Sequence, residues 1–272
     1  MKLSIITVVR NAEKTIEAAI QSVINQSFDD FEYIIIDGCS TDKTKEIIES
    51  FSGKINTFVS EADKGIYDAM NKGVDIAEGE WIYFLGADDV VYSNSVFKDI
   101  FNNNNHDDAD VIYGNVIFKQ TNILFDGEFN AEKLCSKSPC HQAVFYRRQL
   151  FSIFGKFDIR YFTSADYVLH IKTFCNGARW KYLDYIIAIY DQTGVSTIKR
   201  DKIFRNDNFE IRTSNFAGHV NPKSLARVFL SSFWQYFISH HLNKSIKNLK
   251  ILFSYVNLHT IFSVIYDKYF KK

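Results

Sequence analysis

The first ninety residues alternate strand-like and helix-like patterns four times, and this alternation constrains the fold more than anything else in the chain. Leu3 to Val9, Tyr33 to Asp37, Ile55 to Val59 and Trp81 to Leu85 are short apolar runs, rich in β-branched or aromatic residues. Runs of this length, bounded by turn signals, fit strands buried on both faces of a parallel sheet. Between them, apolar residues recur at helical spacing. Ile16, Ala19, Ile20, Val23 and Ile24 follow a cap at Asn11; Ile47, Ile48 and Phe51 follow Ser40 or Thr41; Ala69, Met70, Val74 and Ile76 lie in a segment closed by Gly79. The pattern predicts an α/β fold with a doubly wound, Rossmann-like, mostly parallel sheet flanked by helices. Right-handed crossovers then set Thr7, Asp37, Glu61 with Asp63, and Asp88 with Asp89 along one rim, where open α/β sheets bind ligands.

The fourth run ends in the adjacent carboxylates Asp88 and Asp89, with no basic residue until Lys98. Like charges this close repel, and a cation is their natural neutraliser. Mn2+ or Mg2+, held by one or two carboxylates plus substrate phosphates, suits so sparse an oxygen site. The pair also reads as a solvated acidic turn leading into a helix near Ser93.

Beyond Ser93 the pattern loosens. A helix is expected up to Asn103 and a hairpin from Val111 to Phe118 and Ile123 to Phe125. A short strand follows at Ala143 to Tyr146, then helices at Arg147 to Phe154 and Ala165 to Phe174, and a strand at Trp180 to Tyr190. Asp191 to Ser196 reads as a loop suited to moving. The zero formal charge hides an asymmetry: from Lys199 onward there are 13 Lys/Arg against 4 Asp/Glu, so the two parts carry +9 and −9. Polar stripes such as Lys223, Arg227, Ser231, Gln235 and Ser239 line otherwise apolar, aromatic-rich helices. This C-terminal α-helical extension either packs on a core or lies in the plane of an anionic membrane surface. The four cysteines have no zinc-ligand spacing and fit buried thiols in a reducing compartment. No signal peptide and no apolar run of spanning length is apparent, which predicts a cytoplasmic protein. A dinucleotide oxidoreductase is disfavoured because no GxGxxG follows the first strand.

Six stretches, in order, resemble glycosyltransferase family 2. They are Ser4-Ile5-Ile6-Thr7-Val8-Val9-Arg10-Asn11, Asp37-Gly38-Cys39-Ser40-Thr41-Asp42, Asp63-Lys64-Gly65-Ile66-Tyr67-Asp68-Ala69-Met70-Asn71-Lys72-Gly73, Ala87-Asp88-Asp89, His141-Gln142-Ala143-Val144-Phe145 and Ala165-Asp166-Tyr167. The resemblance implies a GT-A fold over residues 1–198, followed by the basic extension over 199–272. It implies that Thr7 and Asp37 contact the base and ribose of a nucleoside diphosphate, usually uridine. Val9, Asn11, Asp63 and Lys64 belong to the same nucleotide-sugar site. Asp88 would hold the ribose or assist the metal, Asp89 would bind Mn2+ or Mg2+, and Asp166 would be the general base. The sequence departs from the family pattern at Gly38 and Gly86, where many relatives carry an acid, and at Val8, where proline is common.

Sugar transfer needs a stabilised leaving diphosphate, a base for the acceptor hydroxyl and an in-line arrangement. One base with no protein nucleophile implies inversion. Asp166, after Ser164-Ala165, stands where helix N–H groups favour its ionised form, although it also reads as a simple cap. His141 and Arg147 are candidates for an acceptor or phosphate contact; His141 reads equally as a buried structural histidine, and a solvated pair with Arg148 is the plainer reading of Arg147. Lys199, Arg200 and Lys202 are further candidates for closing over donor phosphates. The expectation is an inverting, metal-dependent transfer of a hexose from a UDP-sugar to a lipid-diphosphate-linked saccharide or oligosaccharide. Relatives of this kind work on bacterial O-antigen or capsule, peripheral at the cytoplasmic face of the inner membrane, with no nucleic acid partner. The rival is a non-catalytic nucleotide-sugar-binding module of a larger assembly.

Overall fold

The computed structural model of the chain describes residues 1–102, 106–194 and 201–228, with single positions beyond. Its contacts divide into two units. The first comprises Met1–Glu128, Pro139–Leu169 and Ala178–Arg200; the second comprises Phe129–Ser138, His170–Gly177 and Asp201–Lys272.

The first unit is built on a mixed sheet. Its N-terminal half runs β1 (Leu3–Val9), α1 (Ile16–Ile24), β2 (Phe31–Asp37), α2 (Thr44–Ser50), β3 (Thr57–Ser60), α3 (Ile66–Ile76) and β4 (Trp81–Gly86). β1 pairs in parallel with β2 and with β4, and β2 with β3. The order β3-β2-β1-β4 reverses at β1, the kind of switch point where a crevice opens at the strands' carboxyl ends. The β1 and β2 side chains are nearly all buried, as continuous apolar runs require.

Beyond β4 the sheet turns antiparallel. β5 (Val90–Val91) is followed by α4 (Val96–Phe101), β6 (Val111–Phe118), β7 (Leu124–Phe125), α5 (Ala131–Ser136), a 3-10 turn (His141–Ala143) and β8 (Val144–Arg147). Next come α6 (Leu150–Phe154), α7 (Ala165–Cys175) and β9 (Trp180–Tyr190). β8 runs antiparallel to both β4 and β6, while β9 lies parallel to β6 and antiparallel to β5. The predicted parallel arrangement therefore holds among the first four strands and again between β6 and β9, with β8 and β5 pairing antiparallel. The aromatic core sits under β4 and β8, where Tyr83 stacks on Phe145 at 4.7 Å between centroids and meets Phe97 edge-on at 5.6 Å.

Local boundaries follow hydrogen bonding more than periodicity. Asn11 does not cap α1: its backbone is left-handed at φ 53°, and its side chain accepts the Thr41 N–H at 2.8 Å. Asparagine tolerates this region better than a branched residue, so Asn11 serves as a tie between the loops after β1 and β2.

In the second unit, Asn130 caps α5 and Asp201 caps α8 (Lys202–Phe216), each side chain accepting a backbone N–H at 2.9 Å. Phe209 and Phe216 are fully buried, and Glu132 accepts the Asn221 N–H at 2.6 Å. Residues 222–228 are helical. Most of the polar stripes expected on the last two helices, with Lys199 and Arg200, lie outside the described residues. Among the described residues no helix is long and apolar enough to cross a membrane.

Candidate active site

The site lies at the carboxyl ends of the parallel strands in the first unit. β1 and β2 end in register at Val9 and Asp37, and the Gly38 N–H donates to the Val9 carbonyl at 2.9 Å. Asp37 is fully buried; Ser40 Nα and Oγ and the Ser60 hydroxyl all donate to its carboxylate, the last at 2.7 Å. Asp63, half-buried, leans over Gly38. A Cβ at Gly38 would lie 2.2 Å from Asp63 Oδ2, so a side chain there would displace the Asp63 carboxylate. Asp63 Oδ1 accepts the N–H of Gly65, whose φ of 126° only glycine adopts readily. Lys64 is exposed beside it. Thr7 is fully buried, with its hydroxyl 3.0 Å from that of Tyr33, and so lies beneath the rim.

At the end of β4, Asp88 and Asp89 fold over Gly86. A Cβ there would meet Asp89 Oδ2 at 2.4 Å and Asp88 Oδ1 at 2.9 Å, so oxygens of both carboxylates pack against the face of Gly86 that a side chain would fill. Asp89 is 1 % exposed; its Oδ1 accepts the Asp191 N–H at 2.7 Å and its Oδ2 the Gln142 side-chain amide at 2.8 Å. Burial first, then the charge of Asp88, pushes the Asp89 pKa up to about 7. Asp88 is half-buried and also raised, by burial and by the charge of Asp191. Two unit charges 4 Å apart repel by about 4 kcal/mol at an effective dielectric of 20, which a divalent cation would reverse. Among the described residues no cluster of three or more potential metal-ligating side chains is gathered. Two adjacent carboxylates nevertheless offer the hard oxygen donors that Mn2+ or Mg2+ takes, ions that draw their remaining ligands from water and substrate phosphates.

The sequence expected a mobile loop at Asp191–Ser196, but its described part, Asp191 to Gly194, is fastened. Asp191 receives Lys119 Nζ at 2.9 Å, Gln120 Nε2 at 2.6 Å, and the Thr193 N–H and hydroxyl at 2.9 and 2.6 Å. Burial works against its charge, but these donors prevail and hold its pKa well below the ordinary carboxylate range. Gly194 then passes over Asp88, where a Cβ would be 2.8 Å from Oδ2.

The 3-10 turn joins this pair to Asp166. Gln142 reaches Asp89, while its neighbour His141 places Nδ1 3.3 Å from Asp166 Oδ2. The Gln142 carbonyl accepts the hydroxyl of Tyr83, so β4 both delivers Asp89 and anchors the turn that orients it. Burial disfavours a charged His141, yet the Asp166 hydrogen bond and the charges of Asp166, Asp89 and Asp88 outweigh it and raise its pKa. Asp166 itself opens α7, and its Oδ1 accepts from the Tyr67 hydroxyl and the Tyr167 N–H, both at 2.8 Å.

Arg147 is not brought to these carboxylates. It pairs in register with Trp81, at the opposite end of β4. Its guanidinium donates to Glu80, Ala109 O and His106 O at 2.6, 2.9 and 2.8 Å, and lies 4.6 Å over the Trp81 ring. Gln142, Asp191 and Tyr67 received no role from the sequence. Gln142 stood inside a quoted motif, and Asp191 directly after a predicted strand, which is the one available signal for it.

Comparison with known proteins places the chain in a family. The family model described as glycosyl transferase family 2 matches residues 4–171. The "PGL/p-HBAD biosynthesis glycosyltransferase" of Mycobacterium tuberculosis is 37% identical over 197 residues, covering 70% of this chain and 77% of the relative. Among solved structures, S. aureus TarS 1-349 in complex with UDP has a TM-score of 0.75 at 19% identity, covering 98% of this chain and 87% of that one. The mannosyltransferase PcManGT from Pyrobaculum calidifontis, in complex with GDP-Man and Mn2+, has a TM-score of 0.61 at 14% identity, covering 98% and 79%. Asp88, the buried Asp89 and the separately oriented Asp166 all lie within the matched residues, and the chain belongs to glycosyltransferase family 2, with the fold of the GT-A enzymes.

Proposed function

We propose that this glycosyltransferase moves a hexose from a UDP-sugar to a lipid-diphosphate-linked saccharide or oligosaccharide with inversion at the anomeric carbon. The observation that carries the reading is the 3-10 turn, whose consecutive residues His141 and Gln142 hold Asp166 and Asp89. Leaving-group side and base side are thereby built onto one rigid element. Support for the donor comes from TarS, whose structures contain UDP-GlcNAc and UDP. Support for a surface-glycan acceptor comes from the name of the mycobacterial relative.

In this reading Asp37 and Asp63 hold the nucleoside across Gly38, with Val9, Asn11 and Lys64 at its edge. Asp88 and Asp89 would hold Mn2+ or Mg2+, which when bound supplies Lewis-acid stabilisation of the departing diphosphate. The sequence expected Asp89 as the ligand, with Asp88 on the ribose or assisting the metal; the packing of both carboxylates against Gly86 supports a role for the two together. Asp166 accepts the proton of the acceptor hydroxyl, whose oxygen bonds to the anomeric carbon as the sugar–phosphate bond breaks. The domain boundary near residue 198, and a membrane-facing role for the basic extension, belong to the same proposal and rest on charge asymmetry alone.

The test is to incubate the purified protein with a panel of UDP-sugars, Mn2+ and a short lipid-diphosphate acceptor, then identify the product by mass and NMR. Inversion predicts a β-linked product from an α-linked donor. Substituting D166N should abolish transfer while sparing UDP binding; transfer that persists removes Asp166 as the base.

A further inference from the structure

Tyr67 lies in the first turn of α3, on the longest of the six motif stretches, and the reaction described above gives it no part. Its side chain is 5 % exposed, and its ring packs on Phe157 at 5.4 Å between centroids. Phe157 is itself pinned, exchanging two hydrogen bonds with Asn71 of the same helix at 2.9 and 3.0 Å. The ring is thus clamped, and the hydroxyl is delivered to Asp166 Oδ1 across ninety-nine residues of chain. A phenylalanine would fill the same space without the roughly 1–3 kcal/mol risked by burying an unpaired hydroxyl. The hydroxyl therefore has meaning only through the carboxylate it meets.

Oδ1 also accepts the Tyr167 N–H, so both of its lone-pair positions are used. Oδ2 is turned toward His141. We infer that Tyr67 is a positioning residue for the proton-accepting carboxylate: by holding Oδ1 it fixes the rotation of Asp166. The inference rests on Asp166 being the base. The acceptor O–H bond breaks, its proton passes to the Asp166 carboxylate, and the freed electron pair makes the new glycosidic bond while the diphosphate leaves with the old one.

The phenol stays a donor at working pH, because burial and then the Asp166 charge raise its pKa well above the ordinary value. Among the described residues, titratable groups that sense Asp166 include His141 and Cys140 at the 3-10 turn and Tyr146 on β8; burial raises the pKa of the Tyr146 phenol and of the Cys140 thiol. Removing the Tyr67 hydroxyl should therefore act on Asp166 alone among the carboxylates named here. A donor to a carboxylate favours its ionised form, so its loss raises the pKa.

The experiment compares wild type, Y67F and a protein carrying 3,5-difluorotyrosine at position 67, by NMR titration of 13C-labelled Asp166, assigned with D166N. Y67F should raise the Asp166 pKa by about one unit. The fluorinated ring, a stronger donor of the same shape, should lower it. In UDP release from UDP-GlcNAc, Y67F should cut kcat roughly tenfold with KM within about twofold, and its acidic limb should move to higher pH. An Asp166 pKa unchanged in both variants overturns the inference, whatever the turnover. Turnover that survives D166N overturns the base assignment instead, while leaving the titration result to stand on its own.

Discussion

The backbone N–H of Asp191 donates to Asp89 Oδ1 at 2.7 Å, across 102 residues of chain, and this bond fixes the end of β9 against the end of β4. The carboxylate of Asp191 takes no direct part in it; that side chain is occupied with Lys119, Gln120 and Thr193 and so shapes the turn that presents the N–H. Replacing Asp191 with alanine should loosen the turn and leave the Lys119 and Gln120 donors without their acceptor. The expected result is a loss of about 1–3 kcal/mol in chemical denaturation and weaker Mn2+ binding by calorimetry. D191N, which keeps one acceptor oxygen, should fall between. Unchanged Mn2+ affinity in D191A would show that the turn does not position Asp89.

Proton and cation should compete at Asp89. Its pKa is raised from 3.8 to about 7, so the protonated native form is favoured: the associated stability is fully present below pH 3.8 and is lost as pH rises through about 7. A cation bound to the ionised pair reverses that loss. Mn2+ should therefore raise the melting temperature more at pH 8 than at pH 5.5, with chelator abolishing the difference. Equal stabilisation at both pH values would place the ion elsewhere.

Gly86 and Gly38 matter for the space they leave, which separates them from the turn glycines. G86A should push a methyl against the Asp88 and Asp89 oxygens and lower Mn2+ affinity more than tenfold, with a far-UV spectrum unchanged. G38A should displace Asp63 and weaken UDP binding while leaving Mn2+ binding alone. A G38A protein that binds UDP normally would exclude Asp63 from the nucleoside site.

Arg147 should behave as a stability residue. R147A removes its donors to Glu80 and to the Ala109 and His106 carbonyls, along with its cover over Trp81, and should cost about 2 kcal/mol. The KM for the sugar nucleotide should stay within about twofold of wild type. A large rise in KM without destabilisation would return Arg147 to the phosphate role that its sequence position suggested.

Legibility was uneven, for physical reasons. Strands β1 to β4 and their helices could be read because burial on both faces writes itself as unbroken apolar runs, and Asp88–Asp89 because two adjacent charges at such a terminus are unusual. Asn11 misled as a helix cap, since its left-handed backbone and its bond to Thr41 depend on a loop thirty residues away. Arg147 misled because a cation beside a strand looks the same in sequence at either end of the sheet; only the antiparallel register with Trp81 puts it far from the carboxylates. Gln142 and Tyr67 are uncharged, and their significance lies wholly in the carboxylates they meet.

The sequence by itself determined the alternation of elements and the acidic rim, because periodicity and local charge are properties of neighbouring residues, whereas the strand order and its switch point came from tertiary pairing. Tertiary structure alone decided what each carboxylate meets. Asp89 is sealed by Gln142 and Asp191, Asp88 is covered by Gly194, and Asp166 is turned by Tyr67 and His141. Those are contacts across as many as 106 residues of chain, and hydrogen-bond geometry between distant residues has no local trace in the order of amino acids.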